Sequence, residues 1–229
     1  MAEASIMGRA ARYEARMRSE GAILADRTYN MVLGGVLTAG LALTAAVTAF
    51  APPLFANLGI NPLIVIIAYV VIAIGASLAI NKSSNPAVSG LGFFFLSAAT
   101  GALLSFVVAR FDASAIQAAL LLTGAITAAM VLLSVAFPSF FLSLGKVLFI
   151  SLLLNIVVGL VSVFVFRANL GFMPYVGAGI FSLYIGYDYA KSQAYPKTVD
   201  NAIDSAADIY LDIVNLFMKI LEIMGKRND

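Results

Sequence analysis

The chain has 229 residues, of which 62% are hydrophobic and 11% charged, with a mean hydropathy of +0.98. That is more apolar surface than a soluble core of this length can bury, and far less charge than the roughly 25% of soluble domains. A net charge of +2 excludes a polyanion as the defining partner, so no nucleic acid is expected. With no Cys there is no disulfide or thiol chemistry, and with no His there is no imidazole ligand and no unperturbed group titrating near neutrality. Any pH response must come from carboxylates. The composition predicts an all-α polytopic membrane protein.

Residues 1–30 are charged, with Arg9, Arg12, Arg16, Arg18 and Arg27 set among Glu3, Glu14, Glu20 and Asp26. They contain no apolar core and no small-residue cleavage site, which argues against a cleaved signal peptide. An interfacial helix or a solvated cytoplasmic tail is expected here, followed by a transmembrane domain over 31–229.

Six apolar runs follow, each near the ~20 residues that cross a bilayer. They cover Met31 to Phe50, Pro62 to Ile80, Ala87 to Val108, Ala113 to Phe137, Ser143 to Phe166 and Met173 to Ala190. Breaks are expected at Pro52-Pro53, Lys82 to Pro86, Arg110 to Asp112, Pro138, Arg167 to Gly171 and Tyr195 to Asp200. The third to fifth runs are rich in small residues, among them Gly90, Gly92, Gly101 and Gly124, which let helix backbones approach closely.

The last segment, Ile203 to Met224, reads IDSAADIYLDIVNLFMKILEIM. At about 100° per residue, Asp204, Asp208, Asp212, Asn215, Lys219 and Glu222 fall within about a quarter of the helix circumference. Such a helix either lies on a surface or spans the membrane with its polar stripe turned to protein or water. Counting it as a seventh span and placing the N-terminus inside puts eight Lys and Arg on the inner side and four on the outer. The bias favours a cytoplasmic N-terminus.

Charges within spans carry the most information, because an ionised side chain at mid-bilayer costs about 2.5–3.5 kcal/mol even on the lenient insertion scale. The first four runs contain none. Lys146 sits near the inner end of the fifth, where it can snorkel. Asp188 lies within FSLYIGYDYA of the sixth, among Tyr184, Tyr187 and Tyr189, and Asp212 lies well inside the seventh. The turn signal at residues 196–200 makes the last two segments an antiparallel hairpin, with Thr198 or Asp200 as N-cap. Asp188 and Asp212 are each twelve residues from Asp200, which on a symmetric hairpin sets both about 18 Å from the bend. Two like charges in a low-dielectric site do not both ionise readily, so the pair is expected to share a proton and sense pH. The competing expectation is that each Asp separately bonds a neighbouring helix.

FSLYIGYDYA followed by IYLDIVNLFMKILEIMG resembles the C-terminal signature of the transmembrane Bax inhibitor motif family, in its bacterial YetJ/YccA-like branch. The likeness is strongest over residues 173–225 and weaker over the other spans. It implies seven transmembrane helices, with the seventh central and surrounded by the other six. It also implies a pH-sensitive calcium leak channel regulated by an aspartate pair, at positions that match Asp188 and Asp212. Relatives carry an Arg-rich segment after the second span, one Arg of which latches onto the sixth-helix aspartate. This chain has INKSSNPAVSG there, leaving Lys82 as the only candidate latch.

Calcium prefers carboxylate oxygens, so Asp188 and Asp212 are candidates for transient calcium, with Asp204, Asp208 and Asn215 along its path. Asp204 and Asp208 are otherwise expected as solvated helix-start acids at the inner mouth. Neither a catalytic set nor a cofactor is expected, and calcium enters as the permeant ion. The expected setting is a monomer in a bacterial inner membrane, touching lipid, protons and calcium, with a membrane protein as a further partner. Alternative readings are a non-conducting regulator, for instance of a membrane protease, and a proton-coupled exchanger, although no broken-helix inverted repeat is found. A photoreceptor with Lys219 as its Schiff base is disfavoured by the absence of Trp.

Overall fold

The computed structural model describes Glu14, Arg16, Met17 and residues 21–59, 61–83, 85–167 and 170–225, the side chains of Pro53, Ala56, Asn81 and Lys82 apart. The described residues form helices and contain no strand. In chain order these are α1 (Asp26–Asn57), α2 (Pro62–Lys82), α3 (Pro86–Val108), α4 (Ala113–Ala136), α5 (Pro138–Ser143), α6 (Gly145–Phe164), α7 (Met173–Ala194) and α8 (Val199–Met224).

Local chemistry sets three of the helix starts. At α2 the Asn61 Oδ1 accepts from the Leu63 N–H at 2.9 Å, and at α3 the Asn85 Oδ1 accepts from the Ala87 N–H at 3.0 Å. Each Asn precedes a proline at the first helical position, where the missing N–H costs nothing. At α8 the cap is Thr198, whose Oγ1 accepts from the Asn201 N–H at 3.2 Å. One expected boundary is corrected. The chain does not break before Pro52-Pro53, because α1 continues to Asn57. Only its Asp26–Pro52 part is apolar enough to span, so the prolines fall at the end of that stretch. Helical prolines are tolerated at such depth because freed carbonyls find other donors.

Five helices among the described residues are long and apolar enough to cross a membrane: the first part of α1, then α2, α3, α4 and α6. Long rows of exposed Ile, Leu and Val along them, such as Leu63, Ile67, Val70 and Ile74 on α2, form the kind of surface that only lipid covers. This is an all-helical polytopic membrane protein.

The chain gathers into two compact units. One contains the chain up to Ala109 together with Ser192–Ala207, and the other contains Arg110–Lys191 and the chain from Asp208 onward. In the first unit close approach rests on glycine. A Cβ on Gly101 would lie 2.7 Å from the Thr44 carbonyl oxygen and 2.8 Å from the Val47 Cβ. There Thr44 Oγ1 donates to the Ser97 carbonyl at 3.0 Å and Thr48 Oγ1 to the Gly101 carbonyl at 3.1 Å. Gly90 and Gly124, equally small, meet nothing within 4 Å. Composition alone does not separate these cases.

The last helix is the most deeply placed. Along α8 only Val199, Glu222 and Met224 are exposed, so it is no surface-lying helix and its polar stripe from Asp204 to Asn215 is turned to protein.

Candidate functional site

In the second unit, α7 is positioned by contacts on either side of Asp188. Ser134 Oγ on α4 donates to the Gly186 carbonyl at 2.7 Å, and the Phe141 ring of α5 covers Gly186 so closely that a Cβ there would clash with it. Gly145 gives the same close access to the Tyr187 ring. Leu148, Ile180 and Tyr184 complete an apolar cluster beneath. These contacts fix the rotation of α7 and therefore where Asp188 points.

The Asp188 carboxyl meets that of Asp212 of α8 within hydrogen-bonding reach, and Asp208, one turn earlier on α8, adds its charge to the same place. Asp212 is 8% exposed. A basic group completes the set, because Lys191 Nζ lies 3.6 Å from Asp188 Oδ1 and 5.4 Å from the Tyr187 ring centroid. In the sequence Lys191 counts as one of the eight inner-side Lys and Arg. Its i,i+3 spacing from Asp188 was the available signal. Lys82, the latch candidate, ends α2, and its side chain lies outside the described residues.

Asn215 is half-buried and spends its amide on its own helix, donating to the Leu211 carbonyl at 2.8 Å. Lys219 pairs with Glu222 at 2.9 Å. No group of three or more acidic, His or Cys side chains that could hold a metal ion occurs among the described residues. Two carboxylates fall short of the six to eight oxygens of a resident calcium site.

One acid of the stripe, Asp204, belongs to the first unit, and here the expectation is corrected. Asp204 is not a solvated helix-start acid. It is 2% exposed, with Oδ2 3.5 Å from Arg16 Nε. Arg16 is itself 5% exposed, so at this position the N-terminal stretch is neither a solvated tail nor an interfacial surface. Asp200 is also buried and accepts from Ser89 Oγ of α3 at 2.8 Å.

Burial pushes the Asp200 carboxyl above its ordinary range, against the opposing pull of the Ser89 hydrogen bond and the Arg16 charge. A folded-state value above the unfolded one means that the native state holds the extra proton between the two. The Asp200 contribution to stability is then complete below the unfolded value and is lost as pH rises through the folded value. The Asp200→Asn protein should therefore gain relative to the parent on going from acid to neutral pH. Paired thermal melts in detergent at several pH values check this, and a parent–variant difference that does not vary with pH would refute it.

Long apolar helices with a carboxylate pair enclosed between the last two define an integral membrane protein with a buried acidic site. The sequence matches the family described as "Inhibitor of apoptosis-promoting Bax1" over residues 23–229, and the chain belongs to that Bax inhibitor family. It is 28% identical over 218 residues to the inner membrane protein YbhL of Escherichia coli strain K12, covering 88% of this chain and 92% of that one. It is 32% identical over 149 residues to an uncharacterized protein of Helicobacter pylori, covering 61% of this chain. That match spans 64% of the Helicobacter protein's length.

Proposed function

We propose that the protein is a pH-sensitive calcium leak channel of a bacterial inner membrane. In this reading it has seven spans with α8 central, a cytoplasmic N-terminus, and a gate made by Asp188 and Asp212. The observation that carries it is the meeting of these two carboxyls on α7 and α8, with Lys191 as a counter-charge supplied by the same helix.

The chemistry runs as a competition. Protons, the Lys191 ammonium and a passing calcium ion all seek the same hard oxygens. At higher pH the ionised pair holds a cation or the ammonium, and α7 and α8 stay drawn together. Protonation removes that attraction, and the helices are free to shift. Because the two carboxyls meet, the response belongs to the pair rather than to either residue.

The test is calcium-dye flux in vesicles reconstituted with the purified protein, compared with protein-free vesicles, across about pH 5 to 8. Leak that varies with pH supports the reading. Leak no greater than in empty vesicles at every pH overturns it and favours a non-conducting regulator.

A further inference from the structure

The turn between α7 and α8 is gripped by residues at and before the start of α1. Leu24 N–H donates to the Lys197 carbonyl at 2.8 Å, and Gln193 Nε2 donates to Asn30 Oδ1 at 2.9 Å. Lys197 Nζ stands 3.4 Å from Asp26 Oδ1 and 5.2 Å from the Tyr29 ring centroid. Further in, Arg16 is held on three sides. Its Nε is 3.5 Å from Asp204 Oδ2, its guanidinium carbon lies 5.3 Å from the Tyr195 ring centroid, and its main-chain carbonyl accepts from Asn201 Nδ2 at 3.1 Å. Asp200 faces the same positive charge.

A carboxylate edge beside an aromatic face is the chemistry that selects a guanidinium. The group is planar and weakly hydrated, so it stacks and bonds at once, whereas an ammonium does neither as well. Two buried acids without a cation would be costly, so the pocket needs an occupant. That occupant is Arg16, which is itself helical and precedes α1 in the chain.

We infer that Asp200, Asp204, Asn201 and Tyr195 form a guanidinium-binding pocket filled by Arg16 of the same chain, an autoinhibitory strap that closes the first turns of α8 to water and cations. The pocket goes beyond the proposed channel function, and only the word autoinhibitory rests on it.

The chain has no cysteine, so a thiol placed at buried Ser205 is the only one present. In the full-length protein, Arg16→Gln and Asp204→Asn should each speed modification of Ser205→Cys by a water-soluble maleimide at least about tenfold, since breaking half of a buried pair favours local opening. Arg16→Lys should fall between, and it serves where Arg16→Gln does not yield folded protein. A thiol placed instead at exposed Ser143 should react at the parental rate throughout. The two main variants remove charges of opposite sign, which would push thiol reactivity in opposite directions if only electrostatics changed. Acceleration in both therefore reports access, and an unchanged rate in both overturns the pocket.

In reconstituted vesicles, Arg16→Gln should also raise calcium leak at neutral pH by about threefold, on the same opening argument. Fast labelling with unchanged leak, in a protein whose parent leaks, overturns the inhibition. Fast labelling where the parent does not leak either overturns the channel reading and supports the pocket.

Discussion

Replacing either Asp188 or Asp212 with Asn should flatten the pH dependence of calcium leak, cutting the ratio between its extremes from on the order of tenfold to less than about twofold. Asn keeps the size and a hydrogen-bonding oxygen but removes the charge, so the loss isolates titration from packing. The two variants should also differ. Asp212→Asn leaves the Asp188–Lys191 pair at 3.6 Å in place. Asp188→Asn leaves that ammonium without its carboxylate neighbour, close to Asp212 and Asp208. Asp188→Asn is therefore the variant expected to change the amount of leak as well as its slope. Parental flux curves in both variants would end the gating proposal. Dye-loaded vesicles at matched protein density are the measurement.

The second large effect is steric. Gly101→Leu should destabilise the first unit by about 3 kcal/mol, at the upper end of the range for overpacking a fitted contact. Its Cβ would press on the Thr44 carbonyl oxygen at 2.7 Å, a backbone atom that cannot swing away. Relieving the clash means parting α1 from α3, which also stretches the hydrogen bonds of Thr44 and Thr48 across that seam. For a chain of this length the apparent Tm in detergent should fall by about 5–10 °C. Gly124→Leu makes the same chemical change where nothing lies within 4 Å of the added carbon, and it should melt at or slightly above the parent. Equal melting of the two variants would show that the contact does not set stability. The pairing matters because helix propensity favours Leu over Gly at both positions, and only the neighbour changes the sign.

Parts of the site were legible and parts were not, for identifiable reasons. The hairpin count that set Asp188 level with Asp212 needed only a turn and a constant rise per residue, both local properties. Lys191 was also within reach, three residues from Asp188 on one helix, but it was counted among the inner charges rather than weighed as a partner. Arg16 lay out of reach. It stands in a charge run that reads as a solvated segment, and its site lies 185 residues away on Asn201 and the residues beside it. No periodicity links the two. The same limit applies to the polar stripe of α8, which looks like one surface on a helical wheel. In the structure its first acid, Asp204, belongs to one compact unit, with Arg16, and its later ones to the other, with Asp188.

The amino-acid sequence alone determined the membrane class, the helical content and the positions of five apolar spans. These depend on how much apolar surface each stretch carries, and a chain without water around it must satisfy its backbone within each helix. The tertiary structure alone decided which charge neutralises which, and which glycine is a contact rather than a gap. Those outcomes depend on neighbours brought together from distant parts of the chain, where a buried carboxylate is tolerated only beside the group that meets it.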